Sequence, residues 1–213
     1  MILQWGGSMI DLFYWGTPNG LKITIALEEM GLDYRVNPIN ILEDDQFQPD
    51  YLKISPNNKI PAIIDQDGPL HAPISVFESG AILQYLGRKS GQFYPSGEVE
   101  RVQVEQWLMW QMSGFGPMLG QNHHFNKFAA EKIPYAVNRY VMETKRLYNV
   151  LERQLVGQAY VAGEYSIADM AIYPWIRRHE WQDIDLDDYP NVKAYTGCIE
   201  QRPAVQKALA IQV

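Results

Sequence analysis

The sequence predicts an α/β N-terminal domain followed by an all-α, helical C-terminal domain. Strand-type and helix-type segments alternate up to Ser90, and no strand signal follows that point. Between the halves lies Gly91–Gly97, whose glycine, proline and serine content is typical of a linker. We therefore predict domains at residues 9–90 and 98–213, joined by a linker at residues 91–97.

The first half begins as a β-α-β unit. Met9–Trp15 is rich in β-branched and aromatic residues and predicts a first strand. Thr17 then caps a helix that runs through Leu21–Met30, and Gly31 ends it. Tyr34–Asn40 predicts a second strand, which a right-handed crossover would make parallel to the first.

A hairpin and a closing helix complete the first domain. Ile60–Asp65 and Ile74–Phe77 are short apolar runs separated by a strong turn signal, so we expect two antiparallel strands. Ala81–Lys89 predicts the helix that follows, and the polar stretch Leu42–Lys53 predicts irregular structure with one helical turn. The order β-α-β and then β-β-α is that of a thioredoxin-like domain.

The second half is predicted to be helical throughout. Glu98–Met112 carries a broad apolar face, and the glycines of Gly114–Gly120 predict a break after it. Ile133–Leu155 keeps apolar residues at i, i+3, i+4 and i+7 and predicts the longest helix. Pro190–Arg202 and Pro203–Ala210 predict two short helices at the end of the chain.

A helix-start motif lies in the middle of the second half. Ser166-Ile-Ala-Asp169 has the form of a capping box, with an aspartate in place of the usual glutamate or glutamine. The helix that it opens, Ile167–Arg177, is apolar on most sides. We therefore expect this helix to be buried in the core of the second domain.

Charge and cysteine content exclude several classes of protein. A formal net charge of −7 without any basic run argues against nucleic acid as a partner. The single cysteine, Cys198, excludes internal disulfides and fits a reducing compartment. No apolar run reaches the ~18–20 residues of a transmembrane helix, and Met1–Ser8 lacks the features of a signal peptide. We expect a cytoplasmic protein that contacts neither membrane nor nucleic acid.

Two short segments predict a binding site for an α-amino-acid group. Pro61 cannot donate to a strand ladder and belongs at the start of its strand, where a cis bond suits a tight turn. The backbone of Ile60 would then lack ladder partners and could pair with an extended, peptide-like ligand. Ser79 at a helix start suits a carboxylate, and Glu78 beside it suits an ammonium group. The alternatives are a plain turn proline and an ordinary N-cap.

Five short motifs follow one another along the chain. They are Thr17-Pro-Asn-Gly20, Ile54-Ser-Pro-Asn-Asn-Lys-Ile-Pro-Ala62, Phe77-Glu-Ser-Gly80, Gly116-Pro-Met-Leu-Gly-Gln-Asn-His-His-Phe125 and Ile133-Pro-Tyr-Ala136. With these motifs the chain from Met9 to Ala210 resembles the glutathione transferases. Within that family it is most similar to the bacterial nu-class, which is related to the yeast nitrogen-regulator protein and its bacterial disulfide-reductase relatives.

The resemblance implies glutathione as co-substrate, no permanently bound cofactor, no metal and a homodimer. It implies that the enzyme acts on a small disulfide or an electrophile, with glutathione-dependent disulfide reduction favoured over conjugation. It also implies a set of glutathione contacts: Ile60 for the cysteinyl backbone, Glu78 and Ser79 for the γ-glutamyl group, Gln46 and Lys59 for the glycyl carboxylate, Thr17 and Asn19 for the thiol, and Arg139 as a further contact.

Thr17 and Asn19 have side chains that suit a thiolate. Both donate hydrogen bonds, and a helix start lowers the pKa of a nearby thiol. The predicted site contains no cysteine, so every reacting sulfur would come from glutathione and its substrate. Tyr14 is the alternative thiol donor, because many glutathione transferases use a tyrosine in this strand, although core packing explains it at least as well. The alternative functions are a conjugating transferase that uses Tyr14 and a non-enzymatic glutathione-binding or regulatory protein.

Other residues have weaker claims to a function. His123 and His124 are adjacent, so their side chains diverge and we expect no metal site there. Cys198 is expected to be a small core residue. Trp107 and Trp110 are expected in the core between the domains, with an apolar pocket for an electrophile as the alternative.

Overall fold

The computed structural model describes residues 9–213 of the chain. It divides into two compact units, one formed by residues 9–92 with Lys207–Val213 and the other by Phe93–Gln206. The expectation about Met1–Ser8 lies outside the described residues. Within residues 9–213, no helix is both long and apolar enough to cross a membrane.

The first unit is built on a four-stranded mixed sheet. Its strands are β1 (Ile10–Tyr14), β2 (Tyr34–Pro38), β3 (Ala62–Asp65) and β4 (Ile74–Phe77), in the order β2-β1-β3-β4. β1 runs parallel to β2 and antiparallel to β3, and β3 and β4 form an antiparallel hairpin. This is the predicted β-α-β and β-β-α arrangement, so the thioredoxin-like fold is confirmed.

The register of the strands brings four chain segments to one edge of the sheet. Phe13 near the end of β1 faces Ala62 at the start of β3, and Ala62 faces Phe77 at the end of β4. On the other side of β1, Tyr14 faces Pro38 at the end of β2. The segments that follow β1, β2 and β4 and the segment that precedes β3 therefore leave the sheet at the same edge.

Three helices accompany this sheet: α1 (Pro18–Met30), α2 (Pro49–Ile54) and α3 (Ser79–Ser90). α1 begins after the predicted cap, Thr17, and ends at Gly31, which adopts the left-handed conformation with a φ of 63°. α2 is the helical turn that was predicted within the polar stretch. α3 begins earlier than predicted and packs against α1.

The second unit is helical, as predicted. Its helices are α4 (Glu98–Trp110), α5 (Gly116–His123), α6 (Pro134–Gln154), α7 (Ile167–Ile176) and α8 (Pro190–Glu200). α6 is the long amphipathic helix that the apolar periodicity predicted. The last helix, α9 (Pro203–Leu209), contains the boundary between the two units.

The prediction that the helix breaks at Gly114–Gly120 is wrong. A π-helical segment, Gln111–Phe115, joins α4 directly to α5, and the chain stays helical through these glycines. Two of these glycines allow close packing: a Cβ at Gly116 would lie 2.5 Å from Gln111 Nε2, and one at Gly120 would lie 3.3 Å from the Trp175 ring. Tertiary packing therefore outweighs the low helix propensity of glycine here.

The predicted capping box is confirmed at the start of α7. The Ser166 N–H donates to Asp169 Oδ2 at 2.9 Å, and the Ala168 N–H donates to Ser166 Oγ at 3.3 Å. Asp169 Oδ1 also accepts the N–H of Val161 at 3.0 Å. Every residue of α7 is buried, which confirms the predicted position of this helix in the core.

Candidate functional site

The candidate site lies at the sheet edge where β1 ends and β3 begins. Thr17 follows β1, Ile60 precedes β3 and Glu78 follows β4, so the strand register places all three at this edge. The chain that leaves β2 at the same edge continues to Gln46. Segments that lie far apart in the sequence thus converge at the place where the sequence predicted a ligand.

Thr17 is positioned as the cap of α1. Its Oγ1 accepts the N–H of Gly20 at 3.3 Å, and its side chain is half-buried. A hydroxyl that accepts from the backbone still has its own proton to donate. Asn19, in the first turn of α1, is also half-buried. Both side chains stand at the helix N-terminus, where the helix dipole favours an anion.

Two buried side chains fix the loop before β3, one on α2 and one directly after that helix. Tyr51 Oη and Ser55 Oγ donate to the carbonyl oxygen of Lys59 at 2.7 and 2.8 Å. The Ile60–Pro61 bond is cis, as predicted, and ladder pairing starts only at Ala62. Among residues 9–213, the Ile60 backbone takes part in no backbone–backbone hydrogen bond. Its N–H and C=O therefore remain usable by an extended ligand.

Glu78 and Ser79 form the turn from β4 into α3. Glu78 is exposed, has a φ of 69°, and occupies the cap position without a side-chain cap bond. Ser79 is the first helical residue and is buried, so the alternative that it is an ordinary N-cap is wrong. Asn57 Nδ2 donates to Glu78 Oε1 at 3.4 Å and links this turn to the loop before β3.

Lys22 is a member of the site that sequence reasoning missed. It lies on α1 with 1% of its surface exposed, and its Nζ donates to Ser79 Oγ at 3.4 Å. Burial lowers the pKa of Lys22 to about 7, against the opposing effect of the negative charge on Glu78. The signal in the sequence was a lysine within an otherwise apolar run, between Leu21 and Ile23.

The remaining predicted contacts stay predictions. Gln46 lies in a 3-10 turn after β2, and its buried Oε1 has no hydrogen-bond partner among residues 9–213. Lys59 is exposed beside Ile60. Arg139 is exposed on α6 in the second unit.

Tyr14 is placed as a packing residue. Only 3% of its surface is exposed, and its ring lies against Gly20, where a Cβ would come within 2.9 Å of it. Tyr14 therefore helps to seat the start of α1 on the sheet. This close contact favours the packing interpretation over the role of thiol donor.

His123 belongs to a buried hydrogen-bonded cluster in the second unit. Its Nε2 lies 3.1 Å from Gln182 Nε2, and Tyr148 Oη donates to Gln182 Oε1 at 2.7 Å. Burial lowers the pKa of His123 to about 4, and the charge of Arg178 acts in the same direction. Residues 9–213 contain no grouping of three or more His, Cys, Asp or Glu side chains that would hold a metal.

Trp107 and Trp110 line a cavity of about 600 Å³ within the second unit. Their rings meet edge to face at 5.2 Å, and Trp110 stacks on Phe115 at 4.9 Å. The end of α6 and the loop that follows it, including Gln154 and Val161, also line this cavity. These tryptophans are half-buried and line a cavity, and their predicted position in a core between the domains stays a prediction.

The expectation that Cys198 is a core residue is wrong. Its side chain is exposed, and its Sγ lies 3.6 Å from Tyr160 Oη. The buried face of α8 is formed by Val192, Tyr195 and Ile199, among others, and position 198 falls outside that face.

Two family models match the chain. The model described as Glutathione S-transferase, N-terminal domain, matches residues 8–88. The model described as Glutathione S-transferase, C-terminal domain, matches residues 124–203. Together they cover the sheet-edge site and most of the helical unit.

The chain is also similar to individual proteins of this kind. It is 52% identical to the Disulfide-bond oxidoreductase YfcG of Escherichia coli (strain K12), over 94% of each chain. It is 32% identical to Protein URE2 of Eremothecium gossypii, over 90% of this chain and 65% of that protein. A crystal structure of glutathione transferase from Pseudomonas putida, with one glutathione disulfide bound per subunit, is 45% identical. Its TM-score is 0.93, and the match covers 97% of this chain and 93% of that one.

Proposed function

The chain belongs to the glutathione S-transferase family, and we propose that it is a glutathione-dependent disulfide-bond oxidoreductase. Its relatives include both a bacterial disulfide-bond oxidoreductase and the fungal protein URE2, in agreement with the predicted subgroup. The observation that carries the proposal is the convergence of Thr17, Ile60 and Glu78–Ser79 at one edge of the sheet.

In this proposal, glutathione lies along the edge in an extended form. The N–H and C=O of Ile60 pair with its cysteinyl residue, Glu78 holds the γ-glutamyl ammonium and Ser79 the γ-glutamyl carboxylate. Gln46 and Lys59 face the glycyl carboxylate, and Arg139 gives a further contact. The buried acceptor of Gln46, which lacks a partner among residues 9–213, supports a ligand in this region.

Thr17 and Asn19 stabilise the glutathione thiolate. Each donates to the sulfur, and hydrogen bonds to a charged acceptor contribute about 1.5–3 kcal/mol. Because the free energy of these hydrogen bonds stabilises the thiolate and not the thiol, each bond lowers the thiol pKa by about one to two units. The N-terminus of α1 adds a favourable dipole.

The thiolate attacks one sulfur of the disulfide substrate, and the other sulfur leaves as a thiol after taking up a proton. The resulting mixed disulfide is attacked by the thiolate of a second glutathione. This step releases the second substrate thiol and glutathione disulfide. Two glutathione molecules are thus oxidised for each disulfide reduced, and no sulfur of the protein takes part.

The proposal includes a homodimer in the cytoplasm, where glutathione is kept reduced. A chain with one exposed cysteine and no pair of cysteines suits such a compartment. Membership of the family supports the dimer. Light scattering coupled to size-exclusion chromatography should give twice the mass of the chain, and a mass of one chain would contradict it.

The experiment that tests the proposed function measures two reactions side by side. A coupled assay follows the reduction of a small disulfide by glutathione, and a second assay follows conjugation of glutathione to an aromatic electrophile. We expect disulfide reduction to exceed conjugation. Dominant conjugation would favour the Tyr14 alternative, and binding of glutathione without either reaction would favour the non-enzymatic alternative.

A further inference from the structure

The cavity beside α4 takes no part in the proposed function. It has a volume of about 600 Å³ and lies within the second unit, where α4, the end of α6 and the loop at Val161–Gly163 line it. A cavity of this size holds a small organic molecule, since ligand pockets in proteins typically measure about 300–1,000 Å³. Its lining residues indicate which kind of molecule would fit.

Two tryptophans give the cavity a fixed aromatic wall. Trp107 and Trp110 lie about one helical turn apart on α4, and their rings meet edge to face at 5.2 Å. Trp110 stacks on Phe115, which is fully buried and in turn contacts the ring of Tyr148 at 5.6 Å. Both tryptophans are only half-buried, so apolar ring surface remains accessible from the cavity. A planar aromatic ligand would stack on this surface and remove it from water.

Four glutamines supply the polar part of the lining: Gln103, Gln106, Gln154 and Gln158. The first two share the face of α4 that carries the tryptophans, at the helical spacing i, i+3, i+4 and i+7. Gln154 Nε2 donates to the Val161 carbonyl oxygen at 2.8 Å, whereas the side chains of the other three glutamines form no hydrogen bond among residues 9–213. Each amide carries both a donor and an acceptor, so it can form paired hydrogen bonds with an amide group of a ligand.

The lining of this cavity is uncharged. Among residues 9–213, no Asp, Glu, Lys, Arg or His side chain lines it. An ionised ligand group inside the cavity would lose water without meeting an opposite charge, and that loss is costly. The formal net charge of −7 on the whole chain opposes the binding of an anion further. The lining therefore favours an uncharged ligand over a carboxylate, a phosphate or an ammonium compound.

We propose that this cavity binds an uncharged aromatic compound of two or three fused rings that carries a carboxamide or lactam group on its edge. The rings stack on the wall formed by Trp107 and Trp110, and the glutamine amides exchange hydrogen bonds with the edge group. The residues proposed to contact glutathione lie outside this lining, so the inference does not depend on the proposed function.

The test compares 2-naphthamide with 2-naphthoate. The two compounds have the same ring system and nearly the same shape, but only the carboxylate is charged at neutral pH. Isothermal titration of the full chain at pH 7 should show that 2-naphthamide binds and that 2-naphthoate binds at least about tenfold more weakly. Binding of neither compound, or equal affinity for both, would overturn the proposal.

Gln106→Lys tests the place of binding without removing a buried side chain. Gln106 is exposed, and a lysine there would supply the cavity with the opposite charge that 2-naphthoate lacks in the wild type. We expect this variant to strengthen the binding of 2-naphthoate by about threefold to tenfold.

Gln121→Lys is the matched control for this variant. Gln121 is an exposed glutamine on α5 that does not line the cavity, and the substitution changes the net charge by the same amount. Its affinity for 2-naphthoate should stay within about twofold of the wild type, because a distant exposed charge is screened by salt. Equal affinities in Gln106→Lys and Gln121→Lys would place binding outside this cavity and overturn the proposal.

Trp107→Leu tests the aromatic wall. The variant should bind 2-naphthamide about tenfold more weakly, since leucine offers no ring for stacking. Trp181→Leu is its control, because Trp181 is a partly exposed tryptophan that does not line the cavity, and this variant should bind as the wild type does. A folded Trp107→Leu protein with wild-type affinity would overturn the proposal, and if this variant fails to fold, Gln106→Lys decides.

Discussion

At the scale of single residues, two hydroxyl groups of the site are oriented in the same way. Thr17 Oγ1 accepts the Gly20 N–H, and Ser79 Oγ accepts from Lys22 Nζ. In each case the protein occupies an acceptor position of the hydroxyl and directs its proton elsewhere. The Thr17 hydroxyl is thereby prepared to donate to an anion. In the proposed complex that anion is the thiolate of glutathione.

Ser79→Ala should weaken glutathione binding by about 1–2 kcal/mol, because the carboxylate loses its hydroxyl donor. The matched control is Ser75→Ala on β4, whose Oγ donates to the Ile54 carbonyl oxygen at 3.2 Å. That variant should bind glutathione as the wild type does. Isothermal titration provides the measurement, and unchanged affinity in Ser79→Ala would remove this residue from the site.

Lys22→Met should raise the free energy of unfolding by about 1–4 kcal/mol below pH 7, as expected when a buried charge is replaced by an apolar side chain. The pKa of Lys22 is lowered in the folded protein from 10.5 to about 7, chiefly by burial. The destabilisation by Lys22 is therefore complete below about pH 7 and is relieved as the pH rises toward 10.5.

Denaturant unfolding at several pH values should show this difference between Lys22→Met and the wild type shrinking above neutrality. Lys53→Met, which changes an exposed lysine paired with Asp50, should show almost no difference at any pH. A gain for Lys22→Met that grows with pH would contradict the burial of a charged lysine.

Some of these residues could be predicted from the sequence and others could not, for a physical reason. Thr17 was predictable because a cap before a helix-starting proline is a local signal. Lys22, Tyr51 and Ser55 were not, because their roles depend on which elements pack together. The exposure of Cys198 was missed because helical periodicity gave no sharp boundary to the buried face of α8.

At the scale of secondary-structure elements, the hydrogen bonds at the start of α7 contribute to the stability of the second unit. Asp169→Ala should lower the free energy of unfolding by about 2–4 kcal/mol, because it removes a helix cap and leaves buried N–H groups without their acceptor. Thermal and denaturant unfolding measure this change.

Asp187→Ala serves as the control for this variant. Asp187 forms an exposed ion pair with Lys193, and exposed pairs contribute less than about 1 kcal/mol. Should Asp169→Ala unfold at the same denaturant concentration as Asp187→Ala, the capping box would not be important for stability.

The continuous helix from α4 to α5 shows that glycines alone are not enough to predict where a helix ends. The glycines of Gly114–Gly120 predicted a helix break, yet the chain stays helical, and Gly116 and Gly120 allow the side chains of Gln111 and Trp175 to approach closely. Propensity describes the cost of glycine in an isolated helix, and it contains no information on neighbouring side chains. The capping box at Ser166, by contrast, is contained within four consecutive residues and was predicted correctly.

At the scale of the whole molecule, the direction of two strand pairs was predictable from the sequence. The parallel pairing of β1 and β2 follows from the handedness of crossovers, and the β3–β4 hairpin follows from its turn. Their register is what brings Thr17, Ile60 and Glu78 to one edge. The pairing of β1 with β3 joins parts of the chain that are far apart, so local patterns could not predict it.

The central claim is that a glutathione thiolate, held by Thr17 and Asn19, reduces disulfides without help from a cysteine or tyrosine of the protein. The most direct measurement is the pH profile of disulfide reduction by the wild type, Thr17→Val, Asn19→Ala, Tyr14→Phe and Cys198→Ser. Thr17→Val and Asn19→Ala should each shift the pH profile toward higher pH by about one to two units. Each should also lower the rate at neutral pH by up to ~10²-fold. Tyr14→Phe and Cys198→Ser should keep profiles close to that of the wild type. A collapse of activity in Tyr14→Phe or Cys198→Ser, with Thr17→Val unaffected, would contradict the claim.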